Sequence, residues 1–399
     1  MAENEKIEHH NVRELLTETK DVSDSIIDLA YASVLYEDKE LAEQVRKLEN
    51  RMDELMYQIR ALVAMSARSY EDAEMMTGVL QIASAAESIS NAAGDLANLV
   101  LRDIDIHPVI KDTLKYADEK VSRLKVGSDS DLIGEKLRDI NLPSQLAIWI
   151  LAIKREDSWI IIPSSDETIE ENDTLFVRGP QDGVDKLSFM ADSKEMDWEV
   201  SRKYKRLRKL LSDMRDTGCL LVDMAFYSIL FKSEEVAEEV RELEERFDEL
   251  NYKAWREVLK AAKREKNVMY LNSALQAVKS LESISDAADA IADIMLRGVE
   301  MHPVFAQALE EADENIARVK VSKDSSLTGR TLEKLDLWRR RGVYVLVLRK
   351  ENRYILNPSQ STLVEEGDIL IIRGSIEAVE ELTKVAKGDK LWRDLEIVK

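Results

Sequence analysis

At 399 residues, with 45% hydrophobic and 34% charged side chains, the chain is long enough for two to four domains and is neither core-poor nor disordered in composition. Its formal net charge of −21 opposes general nucleic-acid binding, which is built from Lys and Arg on phosphates, and also opposes loose adhesion to anionic lipid. No apolar run approaches the roughly 20 residues that span a bilayer, the N-terminus MAENEKIEHH has no signal-peptide pattern, and a single cysteine, Cys219, excludes an intramolecular disulfide framework, so a cytoplasmic location is expected.

Scarce glycine and proline, 13 and 6, favour long helices. The spacing predicts a helix from near Val12 to Leu35, with Leu15, Val22, Ile26, Leu29 and Ser33 on one stripe. Its successor carries Leu41, Val45, Leu48, Met52, Leu55, Ile59 and Leu62, alternating steps of four and three, the seam of a helix packed lengthwise in a bundle. A third helix, about Glu71 to Arg102, is rich in Ala, Ser and Gly, which permits close helix contact. His107-Pro108 opens a short fourth helix running to Glu119, because proline suits a first turn whose N–H has no intrahelical partner.

From Val121 the pattern turns to β. A short strand near Leu124 to Val126, a small helix from Asp131 to Asp139, strands in LAIWILAIK and WIIIP, a turn at Glu171 to Asp173 with a strand after it, and a helix from Gln181 to Met190 make a compact mixed module.

All of this recurs 195 positions on: Leu15/Leu210, Asp53/Asp248, Glu87/Glu282, His107/His302, Pro163/Pro358 and Gly179/Gly374 keep the offset without a gap. The fold expected is α+β, a tandem duplication of a long-helix bundle followed by a small α/β module, with pseudo-twofold pairing of the units. The divisions are 11–120 (bundle), 121–190 (module), 191–205 (linker), 206–315 (bundle) and 316–387 (module). Helices in the second unit fall near 207–230, 235–263 and 266–297, with a fourth from Pro303.

The stretches SDSDLIGEKLRDINL and KDSSLTGRTLEKLDL, the basic pairs in AIKRED and VLRKEN, and the acidic turns in IEENDTLFVRG and VEEGDILIIRG resemble the TrkA-C (RCK-C) family. The helical parts resemble half-units of the PhoU family. The first resemblance implies paired modules that bind a small regulatory ligand between them. It also implies a partner that is a membrane-embedded cation transporter or channel, potassium being the expected ion, on a separate chain. The second implies a Glu-x-x-x-Asp metal motif, carried by Glu282 and Asp286, with Asn91 standing where the first copy, at Glu87, would need its carboxylate. A metal-binding regulator of phosphate signalling is the alternative function. No G-x-G-x-x-G unit follows a strand, so no NAD is expected. No nucleophile elbow, P-loop or Glu-x-x-His pair supports catalysis, and the chain is not read as an enzyme.

Among the candidate sites, Glu282 and Asp286 share a helix face where a divalent metal could bridge them; the competing reading is solvated acidic surface, and a metal would need further oxygens from Glu87, Asp95 or a second chain. His107 and His302 read as helix N-termini rather than ligands, and His9 and His10 carry no role. Arg339, Arg340 and Arg341, just before a strand, replace Ser144, Gln145 and Leu146 and could meet a small anionic ligand such as a nucleotide, together with Lys154 and Arg349; a solvated loop is the competing reading. The basic run from Arg202 to Lys209, unmatched in the first unit, balances local charge or touches a membrane-facing partner. Modules could pair within the chain or across a homodimer, and Cys219, whose copy is Asp24, reads as incidental packing.

Overall fold

The computed structural model describes residues 12–66, 68–117, 120–146, 148–193, 203–265, 271–298, 314–351, 353–356 and 358–392. The first unit begins with α1 (Val12–Tyr36), α2 (Lys39–Ser66), α3 (Tyr70–Leu101) and the short α4 (Pro108–Tyr116). In the second unit the corresponding long helices are α8 (Lys205–Leu230), α9 (Glu234–Ala262) and α10 (Asn272–Leu296). The seam from Leu41 to Ile59 is buried throughout, as are Val236, Val240, Leu243 and Phe247 on α9. Equivalent positions cap the second helix of each bundle: Asp38 Oδ1 accepts from the Leu41 amide at 3.0 Å, and Ser233 Oγ from the Val236 amide at 3.3 Å.

The two bundles form one core, with α3 lying against α10 and α1 against α8. Gln81 Nε2 on α3 donates to the carbonyl of Ala290 on α10 at 2.6 Å, so the early part of one helix meets the late part of the other. Applying the 195-residue offset to that contact puts Ser88 and Ser283 at the pseudo-twofold crossing. Both line a groove of about 470 Å³ there, with Asp95 and Asp286 among its walls. The expected pseudo-twofold pairing is made by the helices.

Each module is a four-stranded antiparallel sheet. In the first, β1 (Lys120–Lys125), β4 (Thr174–Gly179), β2 (Trp149–Arg155) and β3 (Ser158–Ile161) pair in that order, with α5 (Leu137–Ile140), α6 (Leu142–Leu146) and α7 (Gln181–Met190). In the second, β5 (Glu314–Lys320), β10 (Ile369–Ser375), β7 (Tyr344–Lys350) and β8 (Arg353–Leu356) repeat the order, with α11 (Leu332–Leu335), α12 (Leu337–Arg341), α13 (Ile376–Lys387) and a small ladder of β6 (Arg330–Thr331) with β9 (Leu363–Val364).

Alternation along the strands decides how the modules dock. Ala152 and Phe176 point into the helical core while Ile153, Leu175 and Val177 point into the module's own core; Val347 and Ile371 against Leu348, Leu370 and Ile372 do the same in the second unit. Both sheet faces are buried, which is why the strands read as nearly continuous apolar runs. The modules themselves keep separate cores.

Two expectations need correction. The helix expected from Asp131 to Asp139 is a series of turns followed by α5, because Gly134, at φ +84°, donates its amide to Ile169 at 2.9 Å and takes the chain out of helical geometry. Arg339 to Arg341 lie on the short helix α12 rather than in a loop, one turn after Asp336 closes α11 in the left-handed region at φ +46°, as Asn141 does at φ +48° in the first module. The fourth helix expected from Pro303, His302, His9, His10 and most of the 191–205 linker fall outside the described residues.

One close approach separates the modules. A Cβ on Gly183 would lie 2.3 Å from the carbonyl oxygen of Leu146, whereas the equivalent position in the second module is already Ala378. Gly183→Ala is expected to cost about 1–3 kcal/mol, because backbone cannot yield as a side-chain tip does, and Ala378→Gly less than about 1 kcal/mol; paired denaturant titrations check the contrast.

Candidate functional site

A buried carboxylate joins one module to both bundles. Asp28 on α1, with a fully buried side chain, accepts from Arg178 Nη1 of β4 at 3.0 Å and from Arg215 Nη2 of α8 at 2.6 Å. The guanidiniums are backed by aromatic faces, Arg178 over Trp149 at 5.6 Å and Arg215 over Tyr31 at 6.0 Å. One turn away, Lys20 Nζ reaches Asp24 at 2.6 Å and Asp223 at 3.2 Å and sits over the Tyr227 ring at 4.9 Å. Lys20 is the copy of Arg215, and Asp223 of Asp28, so the two ion pairs are one interaction repeated by the pseudo-twofold.

At its centre lie Asp24 and its copy Cys219, both buried. Burial, reinforced by the charge of Asp223, pushes the Asp24 carboxyl up to about 8 against the pull of Lys20 and Arg178. For Asp223 burial acts in the same direction, but Lys20 and Arg178 outweigh it and hold the carboxyl below its ordinary range. Burial and the charge of Asp223 thus favour protonation at Asp24, while Lys20 and Arg178 favour the charged form at Asp223. Burial pushes the Lys20 pKa down, but Asp24, Tyr227 and Asp223 outweigh it and hold the pKa well above the ordinary value. Burial raises the Cys219 thiol likewise, so it is not a reactive thiolate.

The second module docks through another carboxylate. Glu239 on α9 accepts from Arg318 Nε at 2.6 Å, Arg349 Nη1 at 2.5 Å and the Tyr354 hydroxyl at 2.8 Å. Burial pushes its pKa up, but the bonds from Arg318 and Tyr354 prevail and hold it below the usual range. The first unit has Gln44 in its place, and there Lys154 binds Glu40 at 2.5 Å and covers Trp159, while Arg123 lies over Tyr36 at 4.5 Å.

These contacts locate the residues expected to bind an anion. Lys154 and Arg349 hold the modules to α2 and α9. Arg341 pairs with Glu381 of α13 at 2.8 Å, Arg340 is exposed, and the Arg339 side chain lies outside the described residues. The second member of each basic pair meets the acidic turn: Arg155 binds buried Asp173 through two nitrogens at 2.9 Å, and Lys350 binds Asp368 at 2.9 Å.

The carboxylates expected to hold metal are divided. Glu87 accepts from Arg60 at 2.5 Å. Glu282 and Asp286 face acidic neighbours that the sequence pattern did not flag. Glu244 of α9 is pushed up to about 7 by burial and by the charges of Asp248, Asp289 and Asp286, and Asp286 is raised by burial and by Glu282 and Asp248. Among the described residues no three His, Cys, Asp or Glu side chains converge as a metal site, so the donor set does not fit a multi-metal cluster. His107 caps α4, its Nδ1 accepting from the Val109 amide at 3.1 Å, with its ring against Tyr204.

The TrkA-C domain model matches residues 121–188 and 316–387, and the PhoU domain model matches 16–100 and 211–295. Each half of the chain is a PhoU domain followed by a TrkA-C domain. Over 91 residues, 22% of this chain, it is 32% identical to the K(+)/H(+) antiporter subunit KhtT of Bacillus subtilis, and it spans about half of that relative's length, 55%. PhoU from Pseudomonas aeruginosa aligns over 72% of this chain and 95% of its own at 12% identity and a TM-score of 0.40. PhoU from Streptococcus pneumoniae aligns over 71% and 90% at 10% identity and 0.41. The PhoU assignment rests on the sequence match, not on these likenesses.

The raised Asp24 pKa has a definite sign. The native PhoU pair holds a proton that the unfolded chain releases between the ordinary value of 3.8 and about 8, so this group lowers stability as pH rises through that window and adds no further change above it. Asp24→Asn, which keeps the neutral form, is expected to melt higher than wild type at pH 8.5 and to converge with it near pH 4; calorimetry across that range checks both ends.

Proposed function

We propose that this chain is a regulatory subunit of a separate, membrane-embedded potassium transporter or channel, and that its TrkA-C domains take a small anionic ligand. The domain content and the name of the Bacillus subtilis relative support the class of function. The observation that carries the mechanism is Asp28, held at once by the first TrkA-C domain, the first PhoU domain and the second. A ligand that binds two arrangements of a TrkA-C domain unequally shifts whatever is fastened to it, and β4 is fastened here to both helical domains.

The anion enters on the Arg340 and Arg341 side, where it competes with Glu381 for Arg341; Lys154 contributes as its exposed pair with Glu40 opens, and Arg349 adds its charge while staying on buried Glu239. Separate TrkA-C cores favour pairing through a second copy of the chain. No catalysis and no NAD are assigned. A second reading, a metal-binding regulator of phosphate signalling, is favoured by the mutual repulsion of Glu244, Asp248, Glu282 and Asp286, which a divalent cation would relieve.

One thermal-shift screen separates them: nucleotides, cyclic dinucleotides and divalent cations against the full chain, Arg340→Glu with Arg341→Glu, and Glu282→Ala with Asp286→Ala. A rise with a nucleotide that the arginine variant loses supports the proposal. A rise only with divalent cations, lost in the carboxylate variant, hands the function to the metal reading. If nothing raises the melting temperature, neither ligand-sensing reading survives.

A further inference from the structure

The basic run at the start of α8 does not stand alone. Tyr204 donates its hydroxyl to Glu265 at 2.7 Å and Arg206 reaches Glu257 at 3.4 Å, so the first turns of α8 lie beside the last turns of α9. That end of α9 has five basic side chains against two acidic ones between Tyr252 and Glu265. Arg256, Lys260, Lys263 and Arg264 are exposed there, as are Lys203, Lys205, Arg206 and Lys209 across from them.

The same surface carries an apolar stripe. Tyr252, Trp255 and Leu259, three and four residues apart, are 67%, 36% and 61% exposed, and Arg256 lies over the Tyr252 ring at 5.9 Å.

Folding accounts for only part of this. Cations at the last turns of α9 suit the negative end of its dipole, and several have local partners, Lys260 with Glu257 at 2.7 Å and Lys209 with Asp213 at 3.5 Å. Cations in the first turn of α8 face the positive end, where they cost stability, and that turn has no acidic residue. The first unit keeps only Arg68 for Lys263 and Tyr57 for Tyr252: Gln58, Ala61, Met65 and Ser69 stand for Lys253, Arg256, Lys260 and Arg264, and His10, Asn11 and Glu14 for Lys205, Arg206 and Lys209.

We infer that this end of the second PhoU domain is a docking surface for an anionic lipid bilayer. Tyr and Trp with a leucine, flanked by Lys and Arg, is the composition that settles at headgroup depth. The net charge of −21 does not prevent it, because charges more than about 8 Å from the headgroups are screened at physiological ionic strength. Repulsion of the acidic remainder would instead orient the protein end-on. The inference rests on the patch and not on which ion the partner carries.

Flotation of the full chain with phosphatidylcholine vesicles, with and without phosphatidylglycerol, tests it. Binding is expected only with the anionic lipid and is expected to weaken as salt rises. Each cation lost near such a surface costs on the order of fivefold in partition, so Lys205→Glu with Arg206→Glu and Lys209→Glu should lose well over tenfold. Tyr252→Ser with Leu259→Ser should also bind less, while Lys323→Glu with Lys334→Glu, exposed on the second TrkA-C domain, should bind as wild type. Circular dichroism melts confirm that each variant is folded, and Lys→Gln versions replace any that is not. Absence of binding to anionic vesicles overturns the proposal. So does an equal loss in the control variant, or a change in oligomeric state of the α8 variant that accounts for its loss, which would make the patch a contact between copies of the chain.

Discussion

The first TrkA-C domain and both PhoU domains meet at Asp28. A carboxylate taken fully out of water carries a penalty of several kcal/mol, and here Arg178 and Arg215 both supply charge and hydrogen bonds to offset it. Removing either arginine would leave the other charges buried with less compensation, so the geometry is restrictive rather than merely stabilising. The apolar contact between α1 and α8 would tolerate a slip of one helical turn. The ion pairs would not, because with α1 and α8 antiparallel a one-turn slip sets Asp28 against Leu211 and Asp223 against Leu16 in one direction, and Asp24 against Asp223 and Asp28 against Cys219 in the other. Burying the pair twice, once on each side of the pseudo-twofold, fixes the register of the two PhoU domains.

Duplication produced the symmetry, and some of the divergence lies where the copies face each other or their modules. On the axis, Asp24 opposes Cys219; two aspartates there would bring a further negative charge beside Asp28 and Asp223, and a thiol removes that problem at small volume. Where the TrkA-C domains dock, Glu239 gathers Arg318, Arg349 and Tyr354 on one buried carboxylate, whereas Gln44 carries no charge and the first domain uses Glu40 at an exposed edge. At this contact with the second helix of the bundle the second docking is therefore the more strongly electrostatic, while the first domain relies on the buried Arg178–Asp28 pair instead.

Periodicity and repeat make the architecture legible in the sequence. The four-three steps from Leu41 to Ile59 are a buried seam, and Gln181–Met190 is a helix as its pattern predicts. The candidate site was less legible, for a physical reason: a cation on a strand looks the same in sequence whether its carboxylate is a ligand or a helix 110 residues away. Arg349 finds Glu239 across that distance and Lys154 finds Glu40 across 114 residues. The signal that existed was comparative. Asp24 against Cys219 and Gln44 against Glu239 are charge changes between copies at helical core positions, and an unbalanced charge inside a bundle requires a partner.

The same reasoning separates rigid parts from movable ones. Each sheet shares its outward face with the helical core, through Phe176 in one unit and Ile371 in the other, so a TrkA-C domain cannot slide on its helices without exposing apolar surface. Lys154 and Glu40 lie at an exposed edge where solvent takes up released charges at little cost. Glu239 and Asp28 are buried, and their release is expensive. A small ligand supplies only a limited differential free energy, enough to open the edge contacts but not to extract a buried carboxylate. Under the proposed ligand-sensing function, the transmitted motion would be a tilt pivoting about Asp28 and Glu239, with the PhoU helices following the strands that hold them.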